Sequence, residues 1–355
     1  MKKSRLMEYK DRIKVKIAAN NSEIANNINP DVTREKFKHK KSLGQNFLKT
    51  ESILDLIVEA GDIQAGDLVL EIGPGEGALT TKILNKINII NKKEWGGKKT
   101  EESAVGNGEG EEGTDKAKLV CIEKDNRLIP ILNERFSREI EEGDLTLLEE
   151  DILKWNIDEY VKEGSGKNLS IAKPKYKLIA NIPYYITGAI MEQFLSAQNK
   201  PEIIVVMVQR EVAERVVAKD GKQSILALCT KYYGDSEIVK IVKPGNFNPP
   251  PKIDSAVLKI KLRPSVLEIS DLNKIEAENR IEQSKMLEKT YLQIVKKGLA
   301  HKRKKLSSNL KDFDANYNWS ELFVKLDIDI NARGEDLNYE KFLELAKEYI
   351  KNIKG

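Results

Sequence analysis

Between about residues 50 and 265 the chain repeats one pattern, a short unbroken apolar run followed by a stretch of helical periodicity. The runs are DLVLEIG (67–73), KLVCIEKD (118–125), DLTLLEED (144–151), YKLIAN (176–181) and EIIVVMVQ (202–209). Strands with one wet face alternate apolar and polar residues. Continuous apolar runs instead suit a sheet covered on both faces. Helix-patterned stretches such as ESILDLIVEAGD, ALTTKILNKI and GAIMEQFLSAQ lie between them. Strand and helix in alternation predict an open, mostly parallel α/β sheet. A late strand, SAVLKIKLRP (255–264), closes this part, and after Pro264 the pattern is helical to the end. The simplest organisation is a basic extension over 1–37, an α/β domain over 38–265 and a small all-helical domain over 266–355. Two polar stretches, 91–117 and 164–175, interrupt the pattern. Neither carries enough apolar surface to order itself, and both are expected to be mobile loops.

No run approaches the length of a membrane span, and the N-terminus, MKKSRLMEYKDRIKVK, lacks the apolar stretch of a secretory signal. A cytoplasmic location and no membrane partner are expected. Cys121 and Cys229 both sit in apolar runs, so two buried free thiols are expected rather than a disulfide. With only His39 and His301 beside them, no metal site is expected. The net charge of +4 is unevenly spread. Residues 1–41 hold twelve Lys or Arg against five Asp or Glu, and KKGLAHKRKK (296–305) holds six and no acid. One such patch is ordinarily a solvated face; two point towards a polyanion.

LEIGPGEGALT (70–80) follows a strand and opens a helix. Its glycines, Gly73, Gly75 and Gly77, allow a tight turn and close approach of a ligand, at a helix N-terminus that favours a negative group. The spacing G-x-G-x-G differs from the dinucleotide fingerprint, and a glycine turn alone fits nicotinamide, flavin and methyl-donor enzymes alike. An acid at the end of the next strand is the second expected part. Glu123 lies 46 residues beyond Gly77, or 19 once the 27 residues of 91–117 are set aside. That is close to the roughly 20 of a compact nucleotide-binding unit. Glu123 is expected to bind ribose hydroxyls, the alternative being an exposed strand-end acid. By the same geometry Asp151, after the third strand, can reach an adenine ring.

NIPYYITGAI (181–190) ends the fourth strand on the same edge of the sheet. It reads either as a plain strand-ending turn with Tyr184 in the core, or as a pocket for a flat nitrogen-bearing ring. The exocyclic amine of adenine is a poor nucleophile because its lone pair is delocalised into the ring. The Asn181 oxygen and a backbone carbonyl can accept its hydrogens and favour the pyramidal form. Pro183 pushes Ile182 towards extended backbone and helps to aim the Ile182 carbonyl. Tyr184 would stack on a flipped base. A positioned amine needs no covalent nucleophile.

NIPYYI resembles the Asn-(Ile/Leu)-Pro-Tyr motif of the ribosomal RNA adenine dimethyltransferases. In order along the chain, KKSLGQNFL (40–48), EIGPGEGALT, QREVAERV (209–216), FNPPPKIDSAV (247–257), HKRKKLSSNL (301–310) and ARGEDL (332–337) are similar to further elements of that family. The resemblance spans about 38–350. It implies a Rossmann-like methyltransferase sheet with a small helical RNA-binding domain, and S-adenosylmethionine held by Asn46, Leu48, Gly73, Gly75, Glu123, Asp151 and Asn181. It implies dimethylation of two adjacent adenines near the 3′ end of small-subunit ribosomal RNA during ribosome assembly, by a monomer. Asn181, Ile182, Pro183 and Tyr184 match the catalytic motif. Phe247 either covers the second face of the base or is a core aromatic before a proline run. Lys302, Arg303, Lys304 and Lys305 would contact RNA backbone, where the family more often has consecutive arginines.

Three rivals remain open. One is a relative that methylates a single large-subunit adenine and confers antibiotic resistance; the full proline segment and ARGEDL favour the small-subunit enzyme. A non-catalytic assembly factor is opposed by the intact Asn181, Pro183 and Tyr184. A nicotinamide dehydrogenase leaves NIPYY unexplained.

Overall fold

The computed structural model describes residues 46–96, 116–164, 175–219, 221–263 and 274–354. The N-terminal extension, most of the two interrupting stretches and residues 264–273 lie outside the described residues. The chain divides into two compact units, 1–45 with 156–173 and 46–155 with 174–355. In the first, the described part is one helix, Ile157–Gly164, at whose start the Asn156 side chain accepts the Asp158 N–H at 2.8 Å.

The second unit contains the sheet. Its elements in chain order are β1 (Phe47–Leu48), α1 (Glu51–Ala60), β2 (Leu68–Ile72), α2 (Ala78–Gly96), β3 (Lys118–Glu123), α3 (Ile129–Arg135), α4 (Ser137–Glu141) and β4 (Leu145–Glu149). After the first unit's helix come β5 (Tyr176–Ala180), α6 (Thr187–Ser196), β6 (Ile203–Gln209), α7 (Arg210–Val216), α8 (Ile225–Tyr233), β7 (Gly234–Val242), β8 (Phe247–Asn248) and β9 (Ser255–Leu262). The first unit's helix takes the label α5. Helices α9 (Lys274–Gly298), α10 (Leu306–Leu310), α11 (Trp319–Lys325) and α12 (Tyr339–Lys354) follow.

The seven-stranded sheet has the order β4-β3-β2-β5-β6-β9-β7. The five strands from β4 to β6 are parallel, while β9 and β7 are antiparallel to their neighbours. Every residue of β5 is buried, as is every residue of β6 except Gln209, so these central runs lie in a sheet covered on both faces, whereas β4 at the edge is mostly half-buried. The chain leaves β2 towards β3 and later returns to its other side as β5. The strand order therefore reverses between β2 and β5, and the crevice at their carboxyl ends is where α/β sheets bind ligands.

Several elements differ from expectation. Strand β7 was not apparent because, at the sheet edge, it mixes exposed and half-buried residues and carries an irregularity between Ile238 and Lys240. Helix α2 runs through Gly96, six residues into the expected loop 91–117, because Lys92, Lys93 and Glu94 are good helix formers and neither Gly nor Pro interrupts the run before Gly96. At the mouth of that loop Asn91 clasps Ala117: Nδ2 donates to the Ala117 carbonyl at 3.2 Å and Oδ1 accepts its N–H at 3.0 Å. Both cysteines are free, Cys121 buried and Cys229 only partly so.

Helices α9 to α12 pack around Tyr291, Trp319, Phe323 and Phe342, and Leu228 of α8 belongs to the same core. That shared core places sheet and helical section in one compact unit. Among the described residues no helix is long and apolar enough to cross a membrane.

Candidate active site

The glycine turn fills the crevice after β2. Gly73, Gly75 and Gly77 all have positive φ, +65°, +60° and +84°. A Cβ on Gly75 would lie 2.5 Å from the Phe47 ring, and one on Gly77 2.6 Å from the Phe136 ring. No side chain fits at either position, so the backbone stays bare. At Gly73 nothing lies within 4 Å of such a Cβ, which leaves open space beside the turn. Phe47 of β1 thus covers the glycine turn, a role that its place in QNFL did not reveal.

Glu123 ends β3 and is 7% exposed, which rules out a solvated strand-end acid. Its Oε2 accepts the Gly75 N–H at 3.3 Å and its Oε1 the Asp125 N–H at 2.7 Å. Burial raises its carboxyl above the usual carboxylate range, opposed by those backbone donors. Beneath the turn, Glu71 is fully buried, accepts the Cys121 thiol at 3.3 Å, and is pushed up to about 7 by burial. Asp151 lies two residues beyond β4. Its Oδ2 pairs with Lys124 at 2.9 Å and its Oδ1 accepts the Leu153 N–H at 3.1 Å, and the Lys124 contact holds its carboxyl below the usual range. Lys124, adjacent to Glu123 in sequence, was a missed neighbour of this end. A bare glycine turn flanked by two strand-end carboxylates fits a cofactor with an adenosine-like part.

The Asn181 loop stands beside the turn, at the end of β5. Asn181 Nδ2 donates to the Asn46 carbonyl at 3.1 Å. Only the amide nitrogen can face a carbonyl, so the bond fixes the flip of the side chain and leaves Oδ1 to accept. Pro183 sits at φ −59°, ψ 134°, and its carbonyl accepts the Ile186 N–H at 3.2 Å, closing the single 3₁₀ turn Tyr184–Ile186. Among the described residues none donates to the Ile182 carbonyl or to Asn181 Oδ1. Two unused acceptors thus stand just before Pro183. The Tyr184 hydroxyl meets Ser255 Oγ at 2.5 Å, and burial raises its phenol pKa. Tyr185, next to it, is 64% exposed.

The two-stranded pairing of β1 with β8 joins two distant motifs, with Phe47 opposite Asn248 and Leu48 opposite Phe247. Lys49 N–H also donates to the Asn246 carbonyl at 2.9 Å. Asn46, Leu48, the glycine turn, Glu123, Asp151, Asn181 and Tyr184 are therefore gathered at one sheet edge. Phe247 is 1% exposed, because the pairing with Leu48 packs it into the core. In this conformation it presents no face to a base.

Lys302, Arg303, Lys304 and Lys305 are all exposed, on the turn between α9 and α10 in the helical section. Asn309 pins that turn through Nδ2, to the Gly298 carbonyl at 2.7 Å and the His301 carbonyl at 3.1 Å. Leu306 N–H bonds the Ala332 carbonyl at 2.8 Å, which sets the ARGEDL segment beside it. Among the described residues no group of three or more His, Cys, Asp or Glu could hold a metal ion.

The family model described as ribosomal RNA adenine dimethylase matches residues 36–93 and 113–351. Its gap falls inside the expected loop 91–117. The chain is 32% identical to the ribosomal RNA small subunit methyltransferase A of Fusobacterium nucleatum subsp. nucleatum over 314 residues, 88% of this chain and 97% of the relative. In fold it is similar to a dimethyladenosine transferase from Plasmodium falciparum, with a TM-score of 0.58 and 24% identity over 86% of this chain and 98% of that one. It is also similar in fold to the 23S rRNA methyltransferase ErmE, with a TM-score of 0.55 and 21% identity over 85% and 98%. On the family match over most of its length and the identity to the Fusobacterium nucleatum relative, the chain belongs to the ribosomal RNA adenine dimethylase family.

Proposed function

We propose that this chain transfers methyl groups from S-adenosylmethionine to N6 of two adjacent adenines near the 3′ end of small-subunit ribosomal RNA, in the cytoplasm, during ribosome assembly. One observation carries the reading: Asn181, its amide fixed by Asn46, leaves Oδ1 and the neighbouring Ile182 carbonyl as two unused acceptors beside a bare glycine turn. S-adenosylmethionine supplies an electrophilic methyl group. Asn46, Leu48, Gly73, Gly75, Glu123, Asp151 and Asn181 would hold it, with Glu123 on the ribose and Asp151 at the adenine.

Asn181 Oδ1 and the Ile182 carbonyl accept the two N6 hydrogens of the target adenine. That draws the nitrogen towards a pyramidal form and frees its lone pair. Because both acceptors are positioned before the base arrives, little reorganisation is needed at the moment of transfer. Tyr184 stacks on the extruded base, an interaction worth roughly 1–3 kcal/mol. As N6 takes up the methyl group it gives up one proton, which leaves to solvent. Residues 38–265 act as the catalytic domain, and 266–355 as an RNA-binding domain whose Lys302, Arg303, Lys304 and Lys305 neutralise phosphate.

The test is label transfer from S-adenosylmethionine, offered unmethylated small subunits and large-subunit RNA in parallel. Label on the small subunit is expected. Label on large-subunit RNA alone would move the assignment to a large-subunit enzyme. Tight subunit binding without label would make the chain an assembly factor.

A further inference from the structure

We propose that Ser255 is a positioning residue for methyl transfer, its hydroxyl holding the Tyr184 ring in the attitude in which it stacks on the target base. The inference rests on the reading of Tyr184 given above and adds to it a residue on a different element.

Ser255 is fully buried and opens β9. Its backbone is paired on both sides, opposite Gln209 of β6 and Val242 of β7. The hydroxyl therefore projects from one of the most constrained positions in the sheet, whereas Tyr184 lies on a single 3₁₀ turn at a strand end. The bond of 2.5 Å links groups 71 residues apart and is the Ser255 hydroxyl's one partner among the described residues. Tyr185 on the same turn is exposed, and among the described residues its hydroxyl meets no hydrogen-bond partner. Of two adjacent tyrosines, only the one expected to stack is tied to the sheet. A stacking ring whose position is fixed in advance loses less freedom when the base arrives. A phenol is protonated at neutral pH and burial raises the Tyr184 pKa further, so the hydroxyl can act as donor under assay conditions.

The test is a double-mutant cycle of Ser255→Ala and Tyr184→Phe, the latter keeping the ring and removing the tether. Turnover on unmethylated small subunits is expressed per mole of bound S-adenosylmethionine. Each single change is expected to lower kcat about two- to tenfold, the effect of one neutral hydrogen bond. KM for the subunit and cofactor affinity stay at wild-type values, which a general loss of structure would not leave untouched. The double variant is expected to be no slower than either single, because both remove the same bond. Wild-type kcat for Ser255→Ala, or a double variant whose loss is the product of the two singles, would overturn the inference. If Ser255→Ala does not fold, Tyr184→Phe carries the test alone, and full turnover by it overturns the inference. Tyr184→Ala separates the two levels. If it transfers normally, the stacking role itself falls, and this inference with it. A slow Tyr184→Ala beside a normal Ser255→Ala removes only the role of Ser255.

Discussion

At the cofactor end the shape is made by three positive-φ glycines within five residues, closed by the carboxylate of Glu123 48 residues from Gly75. At the base end it is made by side chains whose anchors lie 135 residues away at Asn46 and 71 residues away at Ser255. The first end is built largely from backbone turns that a βαβ unit forms by itself. The second exists only after β1 has paired with β8 and β9 has taken its place beside β6. On the proposed function, binding of the cofactor and delivery of the base are separable properties of one sheet edge, and substitutions should divide accordingly.

The largest separation is expected from Asn181→Ala. Losing one of two acceptors should lower kcat by about a hundredfold or more, in the range found for removing a preorganised polar partner. Cofactor affinity, measured by calorimetry, should weaken only partly. Equal losses in both would mean that the two ends are one. Gly75→Val addresses the other side. Its side chain meets Phe47 and a positive φ, strain of about 1–3 kcal/mol, so cofactor affinity should fall roughly ten- to a hundredfold. Most of kcat should return at saturating cofactor. Failure to return would break the comparison.

A smaller effect concerns the buried acid beneath the turn. Glu71 is raised from 4.5 to about 7, so folding takes up a proton between those values, and the stability it contributes falls as pH rises through that window. In denaturant unfolding, Glu71→Gln should gain on the wild type from about pH 5 to about pH 8. A constant difference across that range would contradict the burial argument. The smallest effect is expected from deleting 94–112, the segment absent from the family model. The Asn91–Ala117 clasp already holds the flanking residues together, and the entropic cost of closing a chain segment grows only slowly with its length. Turnover and cofactor affinity should both be unchanged. A loss in either would add a contributor from outside the two ends.

The same contrast decides what could be read in the sequence. The glycine turn and Glu123 were legible because their signal is local and the intervening loop could be set aside by its composition. Asn181, Pro183 and Tyr184 were legible as an odd way to end an apolar strand. What fixes them was not: the Asn46 contact is made by a carbonyl, which no residue type advertises, and Ser255 is an ordinary strand serine until β9 is placed. Phe247 kept two readings because its burial depends on β8 meeting β1. Strand β7 escaped because a sheet-edge strand need not be apolar throughout.

The most direct test of the central claim is nucleoside analysis of small-subunit RNA after exhaustive reaction with the wild-type chain. The account predicts two N6,N6-dimethyladenosines per subunit, at adjacent positions near the 3′ end. A single modified adenine, or N6-monomethyladenosine as the final product, would contradict it.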